Sequence, residues 1–268
     1  MSTLELAEAL FDYKVQLIAW VLSSILIYAL STNLLHFLRS VPSGRFVRLL
    51  KDFDNWPHSI WFFQALRFLY YLCIPYVALT RGVTNTTLMG MWQMHWFGEP
   101  WFQGLALGTV LGLGTLVLLV WGWRQYLQAA AGIQQEALRI PYLIERRILA
   151  TPWGWGLIVL DVLYLEMHWA FYRSAAIRML GAYYGVFLGF LLIVVEWWLN
   201  PEIRRHLSIA HRGGEAISNT AMALGIAIIY YFTSNLWLCI AIHLTIQFGL
   251  LSFLTMFYGS LDQEGQGN

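Results

Sequence analysis

Residues 104–123 read GLALGTVLGLGTLVLLVWGW, a run without one charged side chain. Its length matches the roughly 20 apolar residues that a helix needs to cross a bilayer. Gly104, Gly108 and Gly112 step by four along it. That spacing puts a stripe of small residues on one helix face, where a neighbouring helix can approach closely. Outward from this run, six more segments meet the same test: 15–38, 59–79, 152–172, 176–199, 216–233 and 236–258. The chain therefore reads as all-α, a polytopic transmembrane helix bundle of about seven spans, with six to eight as the range.

Composition agrees. Of 268 residues, 59% are hydrophobic and 12% are charged, about half the charge of an ordinary soluble domain. A soluble enzyme is excluded on that ground. Disorder is excluded too, since it needs low hydrophobicity and high net charge. The net charge of +1 implies no pull toward nucleic acid. Cys73 and Cys239 both lie in apolar runs and make no disulfide framework. Glu5, Glu8 and Asp12 stand where a cleaved signal peptide would carry basic residues, so the first run is expected to be a retained span. No repeat or linker divides the chain, which predicts one integral membrane domain over 1–268. The polar stretch 259–268 is expected to be a flexible tail.

Basic residues cluster in alternate loops. Arg39, Arg45, Arg48 and Lys51 fall in the first, Arg124, Arg139, Arg146 and Arg147 in the third, and Arg204, Arg205 and Arg212 in the fifth. With seven spans these loops share one side, which then holds eleven Lys and Arg against Lys14, Arg81, Arg173 and Arg178 on the other. Such a bias marks the cytoplasmic side, so the N-terminus is expected outside and the C-terminus inside. Tryptophans such as Trp61, Trp101, Trp121, Trp153, Trp198 and Trp237 gather near span ends, where indole sits at headgroup level. The 81–102 loop ends in the aromatic stretch Met94 to Trp101 and is expected to lie in the interface. Asn85-Thr86-Thr87 matches a glycosylation pattern that is common by chance. A surface helix is expected over Gln125–Arg139, with Pro141 ending it.

An ionisable residue at membrane depth is costly and points to function. Among the few that the spans hold are Arg67, Asp161, Glu166, His168, Glu196 and His243. Asp161 and His168 are seven apart and share one helix face. Glu166 and Arg173 share another, roughly 140° away at 3.6 residues per turn. A neighbouring helix must therefore receive one pair. The last span offers Asn235, Cys239, His243 and Gln247, a polar stripe stepping by four. His168 and His243 sit near span ends that face the same side, so a shared polar pocket is expected on the less basic side. Two imidazoles with Glu166 or Asp161 would supply the three protein ligands of a zinc site, or Glu166 would act as base on a metal-bound water. The alternative from the same residues is structural pairing that ties helices together. His-Glu-x-x-His, Gly-x-Ser-x-Gly and Cys-x-x-Cys are all absent.

Residues 152–258 resemble the CAAX protease and bacteriocin-processing (CPBP, Abi) family of intramembrane metalloproteases. The residues Asn235 to Gln247, with His243, look like that family's late His-x-x-x-Asn motif, Gln247 replacing Asn. The stretch His168 to Arg173 sits where Glu-Glu-x-x-x-Arg is expected, with His168 and Trp169 in the glutamate places. No histidine occurs between His211 and His243, where Phe-x-x-x-His would fall near Ala221–Ile229. The resemblance implies Glu166 and Arg173 as catalytic groups, His168 and His243 as zinc ligands, and peptide-bond hydrolysis inside the membrane. Three functions follow as expectations. The first is a non-catalytic membrane scaffold or assembly factor, with the bilayer and other membrane proteins as partners. The second is a metal-dependent intramembrane endopeptidase with a variant Glu/His site. The third is a transporter or a pigment- or quinone-binding subunit using Arg67, Asp161, Glu166 and Glu196.

Overall fold

The computed structural model describes residues 3–40, 48–49, 52–53, 56, 59–91, 99–131, 142–149, 151–207 and 210–266. The expectations for Arg45 and Lys51, for the aromatic stretch 94–98, and for the helix stop at Arg139 and Pro141 lie outside these residues. Among the described residues every regular element is a helix. In chain order they are α1 (Thr3–Ser40), α2 (59–80), α3 (Glu99–Ala131), α4 (Leu143–Leu149), a long helix Gly154–Leu199, α7 (Pro201–Leu207), α8 (Ala210–Thr233) and α9 (Leu236–Gln266). Six of these helices are long and apolar enough to cross a membrane. The protein is thus a multi-pass, all-α helical bundle.

The 46 residues of Gly154–Leu199 would make a rod of about 69 Å at 1.5 Å per residue, over twice the hydrocarbon thickness. They fold back instead. Gly181 sits at φ 79° and ψ 172°, a backbone conformation essentially closed to residues with a Cβ. Beyond it the chain returns antiparallel: the Trp169 and Trp197 rings lie 6.0 Å apart. Residues 28 apart on a straight helix would be about 42 Å apart. The element is therefore two antiparallel helices, α5 (154–180) and α6 (182–199), and the turn falls at Gly181 rather than at 173–175, where the sequence divides spans 152–172 and 176–199. Gly185 and Gly189 make the hairpin tight. A Cβ on Gly185 would intrude on the Ile177 backbone, and one on Gly189 would stand 2.7 Å from the Arg173 Cα.

Two compact units divide the chain: Met1–Met89 with Met167–Arg204, and Gly90–Glu166 with Arg205–Asn268. In the first, α1 and α2 accompany the α5–α6 hairpin. Pro75 shapes α2. Its ring nitrogen cannot bond the Tyr71 carbonyl, so the preceding turn, Leu69–Cys73, widens into a π-helix. Past Thr80 a tight turn docks back: Thr84 donates to Ser174 at 2.6 Å, and Arg178 donates to the carbonyls of Gly82 and Val83, both at 2.9 Å.

In the second unit α3 packs on α8 and α9. The glycine stripe is the reason it can. A Cβ on Gly108 would lie 2.8 Å from Ile242 Cδ1, and one on Gly112 would lie 2.5 Å from Ile242 Cγ2. The opposite face of α3, with Val110, Leu113, Val117 and Leu118, is exposed and apolar, as lipid contact requires. Residues 125–131, expected to open a separate surface helix, continue α3. Likewise α9 remains helical through Gln266, past Gly259 where the sequence predicts a tail.

Candidate functional site

Each intramembrane histidine is held by its own carboxylate. In the first unit, His168 Nε2 lies 2.8 Å from Glu196 Oε2, with side-chain exposures of 2% for both. The hairpin makes this contact, since α5 carries the imidazole and α6 the acid. Tyrosines ring the imidazole. The Tyr172, Tyr70 and Tyr71 ring centroids lie 4.5, 5.0 and 5.1 Å from it. Tyr70 and Tyr71 are adjacent in sequence and would diverge by about 100° on an α-helix. They sit in the widened turn Leu69–Cys73, and both reach His168. His168 Nδ1 is buried and makes no hydrogen bond among the described residues.

A hydroxyl network backs the pair. Tyr172 donates to Ser24 Oγ at 3.1 Å, Tyr70 donates to the Ser24 carbonyl at 3.1 Å, and the Ser24 and Tyr70 hydroxyls lie 3.2 Å apart. Farther along α1, Asn200 donates to the Tyr28 hydroxyl at 3.0 Å. At the end of the span, His36 Nδ1 faces Glu202 Oε2 at 3.6 Å, 39% and 44% exposed. Ser24, Tyr28, Thr32 and His36 step by four, so they share one face of α1.

In the second unit, His243 Nδ1 lies 2.8 Å from Glu166 Oε1, with exposures of 1% and 0%. Here α9 supplies the imidazole and α5 the acid. The start of α9 fixes where His243 falls. Ser234 takes φ 48° between the two helices, and Asn235 Oδ1 accepts the Leu238 N–H at 3.1 Å, an N-cap. Of the polar stripe, Asn235, Cys239 and His243 are buried and Gln247 is half-buried.

The expected site residues thus divide. Glu166 meets His243, as the sequence suggests. His168 meets Glu196, which the sequence singles out only as a polar residue in a span. Arg173 is buried on α5. Asp161 and Arg67 are half-buried, and the Arg67 guanidinium lies 5.9 Å from the Tyr71 ring centroid. The signal overlooked was the face of α1 from Ser24 to His36, as regular as the stripe on α9.

Zinc takes three protein ligands and a water in catalytic sites. Among the described residues no group of three His, Cys, Asp or Glu is placed to hold a metal. Nδ1 of His243 and Nε2 of His168 face carboxylates, and both carboxylates are engaged in return. The donors as arranged do not fit that ligand set, so no zinc-dependent step is derived. No family model, curated protein or solved structure matches this chain, and the resemblance over 152–258 rests on its motif residues alone.

Proposed function

We propose that this protein is a non-catalytic membrane scaffold or assembly factor whose two imidazole–carboxylate pairs tie its spans together. One observation carries the reading: both intramembrane histidines lie 2.8 Å from fully buried glutamates. A buried polar group in hydrocarbon is costly unless it is paired. Each pair relieves that cost on two helices at once and so fixes their register. Other membrane proteins are the partners this reading implies, with the charge-poor faces of the spans as contact area. The bias of Lys and Arg toward alternate loops supports an orientation with those loops on the cytoplasmic side.

The test is elemental analysis and thermal unfolding of the purified full-length protein in detergent, beside a His243→Ala variant. The scaffold reading expects no stoichiometric zinc and a lower melting temperature for the variant. Zinc at about one per chain, the loading of a single catalytic site, with its loss in His243→Ala, would contradict it and restore the endopeptidase reading.

A further inference from the structure

We infer that the second unit binds the phosphate group of an anionic phospholipid at the C-terminal end of α3, through Trp123 Nε1 and the Tyr126 hydroxyl. This goes beyond the scaffold reading and does not depend on it. Both residues lie near the end of the span Trp101–Gln128. Trp123 is five residues and Tyr126 two residues from Gln128, about 7.5 and 3 Å along the helix at 1.5 Å per residue. That is headgroup level.

The two side chains are three apart on α3 and share a face. Their rings meet edge-on, with centroids 5.5 Å apart. Trp123 is 3% exposed. Its Nε1 and the Tyr126 hydroxyl oxygen are buried and make no hydrogen bond among the described residues. The indole is nevertheless held in place. Gly214 on α8 leaves room for it, since a Cβ there would lie 3.0 Å from Trp123 Cη2. The Tyr142 ring lies 6.1 Å from it, and Tyr142 is fixed in turn by Glu215 and Asn219.

The donors select the acceptor. An indole N–H only donates, and a phenol hydroxyl adds a second proton. A water accepting both would still have two protons of its own to place. A phosphate oxygen accepts several donors, has no proton to place, and makes the stronger charge-assisted bonds. The charge around the pair agrees. Segments 123–131, 142–149 and 205–219 of this unit hold five arginines and two glutamates. Of those glutamates, Glu215 already accepts the Tyr142 N–H at 2.7 Å. Arginines at headgroup level attract anionic lipid. Arg124 and Gln125 are exposed and Tyr126 is half-buried, so turning the Tyr126 side chain opens the pair to a headgroup.

The test follows the Trp123 indole N–H by nitrogen NMR of the full-length protein in dodecyl maltoside, a detergent without phosphate. The signal is assigned by its absence in Trp123→Phe. Phosphatidylglycerol, phosphatidylcholine and inorganic phosphate are titrated separately. The expected result is a saturable downfield shift with phosphatidylglycerol, at a midpoint several-fold lower than with phosphatidylcholine. Tyr126→Phe keeps the ring and should raise that midpoint about tenfold or more, as for loss of one hydrogen bond to a charged group. In lipid-free detergent the same variant should melt no lower than the wild type, because its hydroxyl has no bond to lose there. Inorganic phosphate giving the same shift at the same midpoint would overturn the lipid as the source and assign the site to free phosphate. No saturable shift with any of the three, equal midpoints for the two lipids, or an unchanged midpoint in Tyr126→Phe would overturn the proposal.

Discussion

At the scale of single residues, burial without water decides what each polar group is worth. The Thr84–Ser174 bond is short and fully buried. Ser174→Ala leaves the Thr84 hydroxyl unpaired, and calorimetry should record a loss of about 1–3 kcal/mol. Tyr142 sits outside the spans and tests charge burial. Its hydroxyl donates to Asn219 at 2.9 Å, and its N–H donates to Glu215 at 2.7 Å. Burial, then the Glu145 and Glu215 carboxylates, push its phenol well above the ordinary value of 10.0. A raised folded value means stability that is complete below about pH 10 and is lost as pH rises further. Unfolding followed from pH 8 to pH 11 should show that alkaline loss in the wild type and a flatter curve in Tyr142→Phe. At this scale the sequence was partly legible. Glu166 and His243 are recognisable because a charge and a polar stripe stand out in apolar runs. Glu196 as the partner of His168 is not, because the contact depends on where α5 turns into α6.

At the scale of elements, glycine placement governs how closely spans pack. The stripe Gly104, Gly108 and Gly112 was readable from its spacing, and it faces Leu238 and Ile242. An equal spacing, Gly181, Gly185 and Gly189, went unread because these glycines serve a hairpin within what looks like two ordinary spans. The two roles predict different sensitivities. Gly185→Ala drives a methyl into the Ile177 backbone, which cannot yield as a flexible side chain does. It should lower stability by about 3 kcal/mol or more, the upper range of overpacking. Gly181→Ala meets no atom within 4 Å yet takes a strained backbone, at about 1–3 kcal/mol. Gly156→Ala, also with open space, should be neutral or slightly stabilising. Melting temperatures of the three variants in one detergent check the order.

At the scale of the whole molecule, low charge made the membrane bundle legible at once, since a charge-poor surface suits lipid and not water. Six helices are long and apolar enough to cross a membrane, and Gly181 folds one of them back on itself. The seven-span reading expects the Thr3–Ser40 end and the α9 end on opposite sides. Reporter fusions at residues 3 and 266 should therefore give opposite signals, and equal signals would remove one crossing. What joins the spans was less legible, because partners on different helices leave no mark in a linear pattern. The central claim is that the buried pairs tie the bundle. A double-mutant cycle on His168→Ala and Glu196→Ala, read by unfolding of the full-length protein in micelles, addresses it most directly. The account predicts a coupling of about 0.5–3 kcal/mol, as for residues in contact, whereas strictly additive losses would contradict it.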